Sequence, residues 1–175
     1  PASGRTITVE TDLVTATITT QGGRLESLRL KRFRRSVSPD SPDLNLVESG
    51  AGLLPLTLQL GASATDAGVV YEVDRDSLTL TGSAEGAITL TGRRPDGSSI
   101  TKRIGFRGNG YVFNLKASVR DGAVGLVLAP VASEGAQGGQ HSGVESAIAL
   151  NAENRRVSEH AVKDLAAEAV TIPEA

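Results

Sequence analysis

Nucleophilic catalysis needs a Ser or Cys beside a base, and general acid–base work needs His or perturbed carboxylates converging on one pocket. The 175-residue chain has no cysteine and two histidines, His141 and His160. No G-x-S-x-G elbow occurs, and neither histidine lies in an H-E-x-x-H spacing that would set two ligands on one helical face. His141 sits in a Gly-rich loop (GAQGGQHSG, Gly135–Gly143), where it can be a base or a ligand but reads better as a solvated loop side chain; His160 reads the same way. Glu10, Asp12, Glu26, Glu134 and Glu145 are scattered, and strand alternation brings no two of them together. A phosphate cradle of the G-x-x-x-x-G-K-[ST] type is absent, and Gly105, Gly108 and Gly110 lie between strands, where they serve as turn residues. The run Lys31-Arg32-Phe33-Arg34-Arg35 is the one local concentration of charge. It can meet lipid headgroups, an acidic partner or water; each cation near an anionic surface is worth about 1 kcal/mol, and a solvated strand end is the preferred reading. The sequence thus assigns no catalytic, cofactor-binding or metal-binding residue, and predicts no enzyme.

Composition excludes further classes. Eighteen Lys+Arg against twenty Asp+Glu give a net charge of -2, so no global positive field holds a nucleic-acid backbone, and no nucleic-acid partner is expected. Without cysteine there is no disulfide scaffold, thiol enzyme or Cys-ligated zinc module. The length suits one domain, 1–175, and with five aromatic residues Leu, Val, Ile and Ala must build its core. The weakly polar run Gly122–Ala132 is interrupted by Gly125 and Pro130 and is shorter than the roughly 20 residues that cross a bilayer. The chain opens at Pro1 in a polar stretch with no signal core, which reads as a domain excised from a longer protein.

Period-two alternation dominates the chain that must position these residues. Ile7 and Val9, then Val14, Ala16 and Ile18 between threonines, then Leu28, Leu30 and Phe33 after a Gly22-Gly23 turn, read as half-buried strands. Leu54, Leu56, Leu58 and Leu60 alternate likewise, with Pro55 tolerable at an edge or strand start. Val69–Val73, Ser77–Thr81 and Ala87–Thr91 suggest a meander of antiparallel hairpins. Pro95-Asp96-Gly97 predicts a turn into Ile100, Lys102, Ile104 and Phe106. Arg107-Gly108-Asn109-Gly110 turns again into a strand with Tyr111, Phe113, Leu115, Ala117 and Val119 on one face and Val112, Asn114, Lys116 and Ser118 on the other. Val124–Ala132 is apolar enough to be a central strand, and Val144–Leu150 is another. Ser158 can cap a short helix through Glu168, and Arg156–Val162 can equally form an edge strand; the helix is preferred.

Three stretches, in order, resemble the large periplasmic domain of the YidC-type membrane protein insertases. They are the opening TVETDLVTATITTQGGRLESLRLKRF with its glycine pair Gly22-Gly23, the short Pro42–Val47 segment, and PDGSSITKRIGFRGNGYVFNLKASV, with Asp96, Gly97, Lys102, Phe106, Gly110 and Tyr111 on patterned positions. The likeness covers most of the chain to about Leu150. It departs at Arg120-Asp121, where an Asn is usual, and the family's Trp-containing strand and Tyr-Phe segment are absent, so the chain is expected to stop before the domain closes. The resemblance implies an all-β fold, a large twisted antiparallel β-sandwich of the supersandwich type shared with galactose mutarotases. It also implies a place on the periplasmic side of the inner membrane, attached to membrane helices outside this chain. The implied role is accessory: helping to insert, fold and assemble membrane proteins by docking Sec translocon subunits of the SecD/SecF type or nascent polypeptide, with no cofactor. The shared fold leaves a carbohydrate-binding or mutarotase-like sandwich, or an inert spacer, as alternatives.

Overall fold

The computed structural model describes residues 4–47, 54–60, 64–120, 125–126, 146–150 and 157–161. They divide between two compact units, Pro1–Ala132 and Ser133–Ala175.

The described residues of the first unit form twelve strands in three sheets. Strands β1 (Thr6–Glu10), β2 (Val14–Thr19), β3 (Arg24–Arg34) and β4 (Asp43–Asn45) form an antiparallel meander, and β8 (Ser77–Thr79) joins its far side, giving the order β4-β3-β2-β1-β8. A second sheet has the order β11-β10-β9-β7, from β7 (Tyr71–Val73), β9 (Glu85–Arg93), β10 (Ser99–Arg107) and β11 (Asn114–Val119). A small third sheet pairs β5 (Leu58–Leu60) with β6 (Ala64–Thr65) and β12 (Gly125–Leu126). The two larger sheets turn their apolar faces into one core, as an antiparallel sandwich does. Ile7, Val9, Ala16 and Ile18 from one sheet and Ile88, Leu90, Ile100 and Ile104 from the other are fully buried. Each such valine, leucine or isoleucine side chain contributes about 1.5–3 kcal/mol by burial. The sheets are also stitched at one end, where Tyr71 donates its N–H to the Thr20 carbonyl (2.9 Å) and Gly22 donates to the Val69 carbonyl (2.6 Å).

Alternation locates most of these strands, with three departures among the described residues. The meander expected from Val69 to Thr91 does not form. While β7 pairs antiparallel with β9, β8 crosses to the other sheet and lies parallel to β1, with Thr8, Val9 and Glu10 opposite Ser77, Leu78 and Thr79. There Leu78 and Leu80 are buried over Gly86, whose Cβ would stand 3.1 Å from each. Leu54–Leu60 is a strand only from Leu58, because Pro55 begins a turn and Leu56 takes a left-handed φ of 70°. The strand expected from Tyr111 starts at Asn114, leaving Tyr111 and Val112 exposed in a loop. Of the expected central strand Val124–Ala132, Gly125–Leu126 lies at one end of the third sheet's order, and the remainder falls outside the described residues.

In the second unit, β13 (Ser146–Leu150) pairs antiparallel with β14 (Val157–Ala161). The edge-strand alternative therefore replaces a helix starting at Ser158. Ser158 stands opposite Ala149 in a ladder, with β-branched Val157 opposite Leu150, so its backbone is committed to pairing rather than to capping. Residues 162–168, like the loop 135–143, lie outside the described residues.

Candidate docking groove and the clasp beneath it

The outer face of the β9-β10-β11 sheet carries the candidate site. Along β10 the odd positions point away from the core, so Thr101, Arg103, Gly105 and Arg107 share the outer face while Ile100, Lys102, Ile104 and Phe106 face inward. The register places Thr89, Arg103 and Lys116 in one row, and Ala87, Gly105 and Asn114 in the next. The second row has almost no side chain in its middle. A Cβ on Gly105 would have only the Gly86 carbonyl within reach, at 4.0 Å, so the sheet is locally bare backbone. The hollow has a volume of about 600 Å³. Arg103, Arg107 and Lys116 give it a cationic rim, Glu85 opposes Arg107 at 4.0 Å, and Tyr111 and Val112 form an apolar wall. A shallow trough with a floor almost free of side chains, and with charge and an aromatic ring at its sides, has room for a chain lying across the face of the sheet.

The loop that forms the wall is fixed from below. Asp12 donates its N–H to the Gly108 carbonyl (3.1 Å), and the Asp12 carboxylate accepts the Gly82 N–H (2.6 Å). Gly108 has no room for a side chain, since a Cβ would lie 2.5 Å from the Thr81 carbonyl carbon. Phe113 folds back on Phe106 with ring centroids 5.6 Å apart.

On the inner side of the same strand lies a buried ionic cluster. Lys102 occupies an inward position between two isoleucines and is completely buried. Its ammonium reaches the Asp66 carboxylate (2.6 Å) and donates to the carbonyls of Gly22 (2.7 Å), Gly23 (3.2 Å) and Leu56 (2.6 Å). Asp66, also fully buried, opens the 3-10 turn Asp66–Gly68 and accepts from the Leu58 N–H (2.8 Å) and the Tyr71 hydroxyl (2.7 Å). The lysine lies 5.2 Å from the Tyr71 ring centroid. Burial, and then the Asp66 hydrogen bond and charge, push the Tyr71 hydroxyl far above its ordinary range. Burial pulls Lys102 down, against the opposing pull of Asp66. Among the described residues no buried side-chain polar atom lacks a partner, so this cluster is satisfied as a unit. It holds β10 to the Gly22-Gly23 turn and to the turn before β5. The glycine pair is required there, because both have left-handed φ (75° and 54°) and a Cβ on Gly23 would meet Lys102 Cδ at 3.2 Å.

Two of the sequence motifs, the glycine pair and Lys102, thus meet across the core, while no sequence motif marks Asp66 and Tyr71 as their partners. The available signal is Lys102 itself. A lysine in register with Ile100 and Ile104 on an inward face demands a buried counter-charge. Glu10 pairs with Lys31, and Glu26 is exposed. His160 stands opposite Ala147 in the second unit's ladder, whereas His141, Glu134 and Glu145 lie outside the described residues. Among the described residues no three His, Cys, Asp or Glu side chains converge as metal ligands. No helix of the described residues is long and apolar enough to cross a membrane.

Its two larger sheets, packed about one apolar core, make the first unit an antiparallel β-sandwich. The sequence profile of the YidC periplasmic domain matches residues 6–167, and the chain belongs to that family. It is 36% identical over 114 residues to the membrane protein insertase YidC of Maridesulfovibrio salexigens, covering 65% of this chain and 21% of that protein. It is 32% identical to the one of Oleidesulfovibrio alaskensis, covering 70% and 23%. The insertase of Geobacter sulfurreducens is 27% identical, covering 70% and 23%. The chain therefore spans between a fifth and a quarter of the length of these relatives.

Proposed function

We propose that this chain is a single accessory domain, 1–175, of an inner-membrane protein insertase, facing the periplasm and working without chemistry of its own. It helps membrane proteins insert, fold and assemble by docking polypeptide, either a segment of a nascent membrane protein or a SecD/SecF-type subunit of the Sec translocon. The observation that carries this reading is the trough over Gly105, whose floor almost free of side chains, cationic rim and Tyr111 wall leave room for a polypeptide segment on the face of the sheet. The positive-inside rule adds a reason for the rim: segments delivered to the far side of the membrane are poor in Lys and Arg, so a cationic trough does not repel them.

A photo-reactive residue placed at Asn114 in the trough of the full-length insertase tests the proposal, with Arg29 on β3 as the comparison position. Adducts with nascent membrane proteins or Sec subunits from Asn114, and few from Arg29, are expected. Equal yields from both positions, or none from either, would sink it.

A further inference from the structure

The outward positions of the second sheet gather charge of one sign in a chain whose net charge is -2. Along β7, β9, β10 and β11 the outward charged residues are Arg93, Arg103, Arg107 and Lys116 against Glu72 and Glu85. Arg107 faces Glu85 at 4.0 Å. Arg103 and Lys116 stand directly opposite each other on β10 and β11, both exposed, and neither side chain has a hydrogen bond or ion pair with a described residue. The nearby acids do not serve them. Glu72 is opposite Thr91, two strands from Arg103 and in the next row, while the Asp74 carboxylate accepts the Thr89 N–H (2.9 Å) and lies 3.5 Å from Arg75. Like charges directly opposite across two strands destabilise a sheet. A counter-charge supplied by another molecule removes that cost.

We propose that Arg103 and Lys116 form a carboxylate-binding subsite, so that the polypeptide taken by the trough is an acidic segment with Asp or Glu directed at this pair; the inference rests on the reading of the trough as a docking site. The floor row of Ala87, Gly105 and Asn114 adjoins the row of Thr89, Arg103 and Lys116. Neighbouring rows on one face of a sheet are about 6.8 Å apart, two residues of strand, which an Asp or Glu side chain on a segment crossing the floor can span. The guanidinium and the ammonium offer several N–H donors to its two oxygens, and such charge-assisted bonds are stronger than neutral ones. On the other side of the floor the segment meets Tyr111 and Val112, while Arg107 is matched by Glu85. The trough therefore has unmatched charge along one side and apolar surface along the other. A lone headgroup phosphate would satisfy the two cations and leave the floor over Gly105 empty, whereas a polypeptide segment fills both.

Photo-crosslinking from Asn114 of the full-length insertase tests the subsite with two nascent membrane proteins that differ in one periplasmic segment, acidic in the first and with every Asp and Glu changed to Asn or Gln in the second. At low salt the acidic segment is expected to give roughly 5-fold more adduct, the upper end for an exposed ion pair. The ratio should fall toward one at about 1 M salt, where charges are screened beyond about 3 Å. Arg103→Glu with Lys116→Glu should reverse the preference, and Lys116→Glu alone, which gives Arg103 a counter-charge across the strands, should abolish it. The amide-bearing segment should still crosslink in each variant, which separates a change of preference from a loss of folding. Equal adducts from the two segments in the unsubstituted insertase, or a preference for acid that survives the charge reversal, would overturn the subsite and leave the docking reading standing. No adduct from either segment, or phospholipid adducts in place of polypeptide, would remove the docking reading and the subsite with it.

Discussion

Replacing Lys102 by Met keeps the length and apolar stem of the side chain and removes the ammonium that four acceptors share. What remains is a fully buried Asp66 carboxylate with only the Tyr71 hydroxyl and the Leu58 N–H to hold it, and three carbonyls, of Gly22, Gly23 and Leu56, without this donor. Removing one partner of a buried ion pair costs about 3–5 kcal/mol, because the other charge is left uncompensated. Each orphaned buried carbonyl adds a penalty of about 1–3 kcal/mol, part of which relaxation recovers. With a total stability of about 5–15 kcal/mol for a domain, K102M should leave the fold marginal. Urea unfolding followed by far-ultraviolet dichroism measures the loss, and a double-mutant cycle shows its origin. Asp66→Asn should be costly alone, and the double variant should cost less than the sum of the single ones by about 0.5–3 kcal/mol, since it strands no charge. Asp66→Asn in the K102M background also keeps the test readable if K102M alone does not fold. A loss below about 1 kcal/mol for K102M, or strict additivity, would refute the view that the cluster clasps the two sheets together.

Tyr71→Phe removes a charge-assisted hydrogen bond to Asp66 and should cost about 1.5–3 kcal/mol in the same assay at neutral pH. The Tyr71 hydroxyl is raised in the folded state, so its stabilisation is complete below the ordinary value of 10.0 and fades as pH rises beyond it. The stability gap between wild type and Y71F should accordingly narrow above that pH, and a constant gap would show that the hydroxyl titrates freely. Gly108→Ala forces a Cβ to within 2.5 Å of the Thr81 backbone and should lower the urea midpoint, whereas the same change at Gly97, with open space but a left-handed φ of 83°, should cost only backbone strain of about 1 kcal/mol. Asp96 is held below the usual carboxylate range by hydrogen bonds from the Ser98 hydroxyl and N–H. Its contribution to the β9–β10 turn is therefore present above the ordinary carboxylate value and lost as pH falls through its lowered one. Asp96→Asn should flatten that acid-side limb of the stability curve.

Strands are legible wherever apolar residues alternate strictly, as in Val14–Ile18 and Ile100–Phe106, because burial on one face leaves a period of two in the sequence. The partner of each strand is less so. Nothing in Ser77–Thr79 announces that it leaves β7 to lie parallel to β1, since the choice rests on a packing of Leu78 and Leu80 against Gly86 that only the assembled sandwich provides. Leu54–Leu60 misleads because a left-handed φ at Leu56 is set by tertiary contacts, its carbonyl being turned toward Lys102. Of the trough, the cations are visible in the sequence but not the hollow. It arises from Gly105 standing beside Ala87 and Asn114, a register that a single strand cannot reveal. The clasp is half visible, as a lysine on an apolar face and a glycine pair eighty residues earlier, without the aspartate that joins them.

The most direct test of the docking role fills the trough without disturbing what lies beneath it. Gly105 has ordinary backbone geometry and open space above it, so Gly105→Phe should occupy the hollow at little cost to folding. Photo-crosslinking from Asn114 in the full-length insertase, compared with and without the Gly105→Phe substitution once both forms are shown to have equal urea stability, measures the consequence. Loss of the polypeptide adducts is expected when the trough is filled; adducts of unchanged yield would contradict the account.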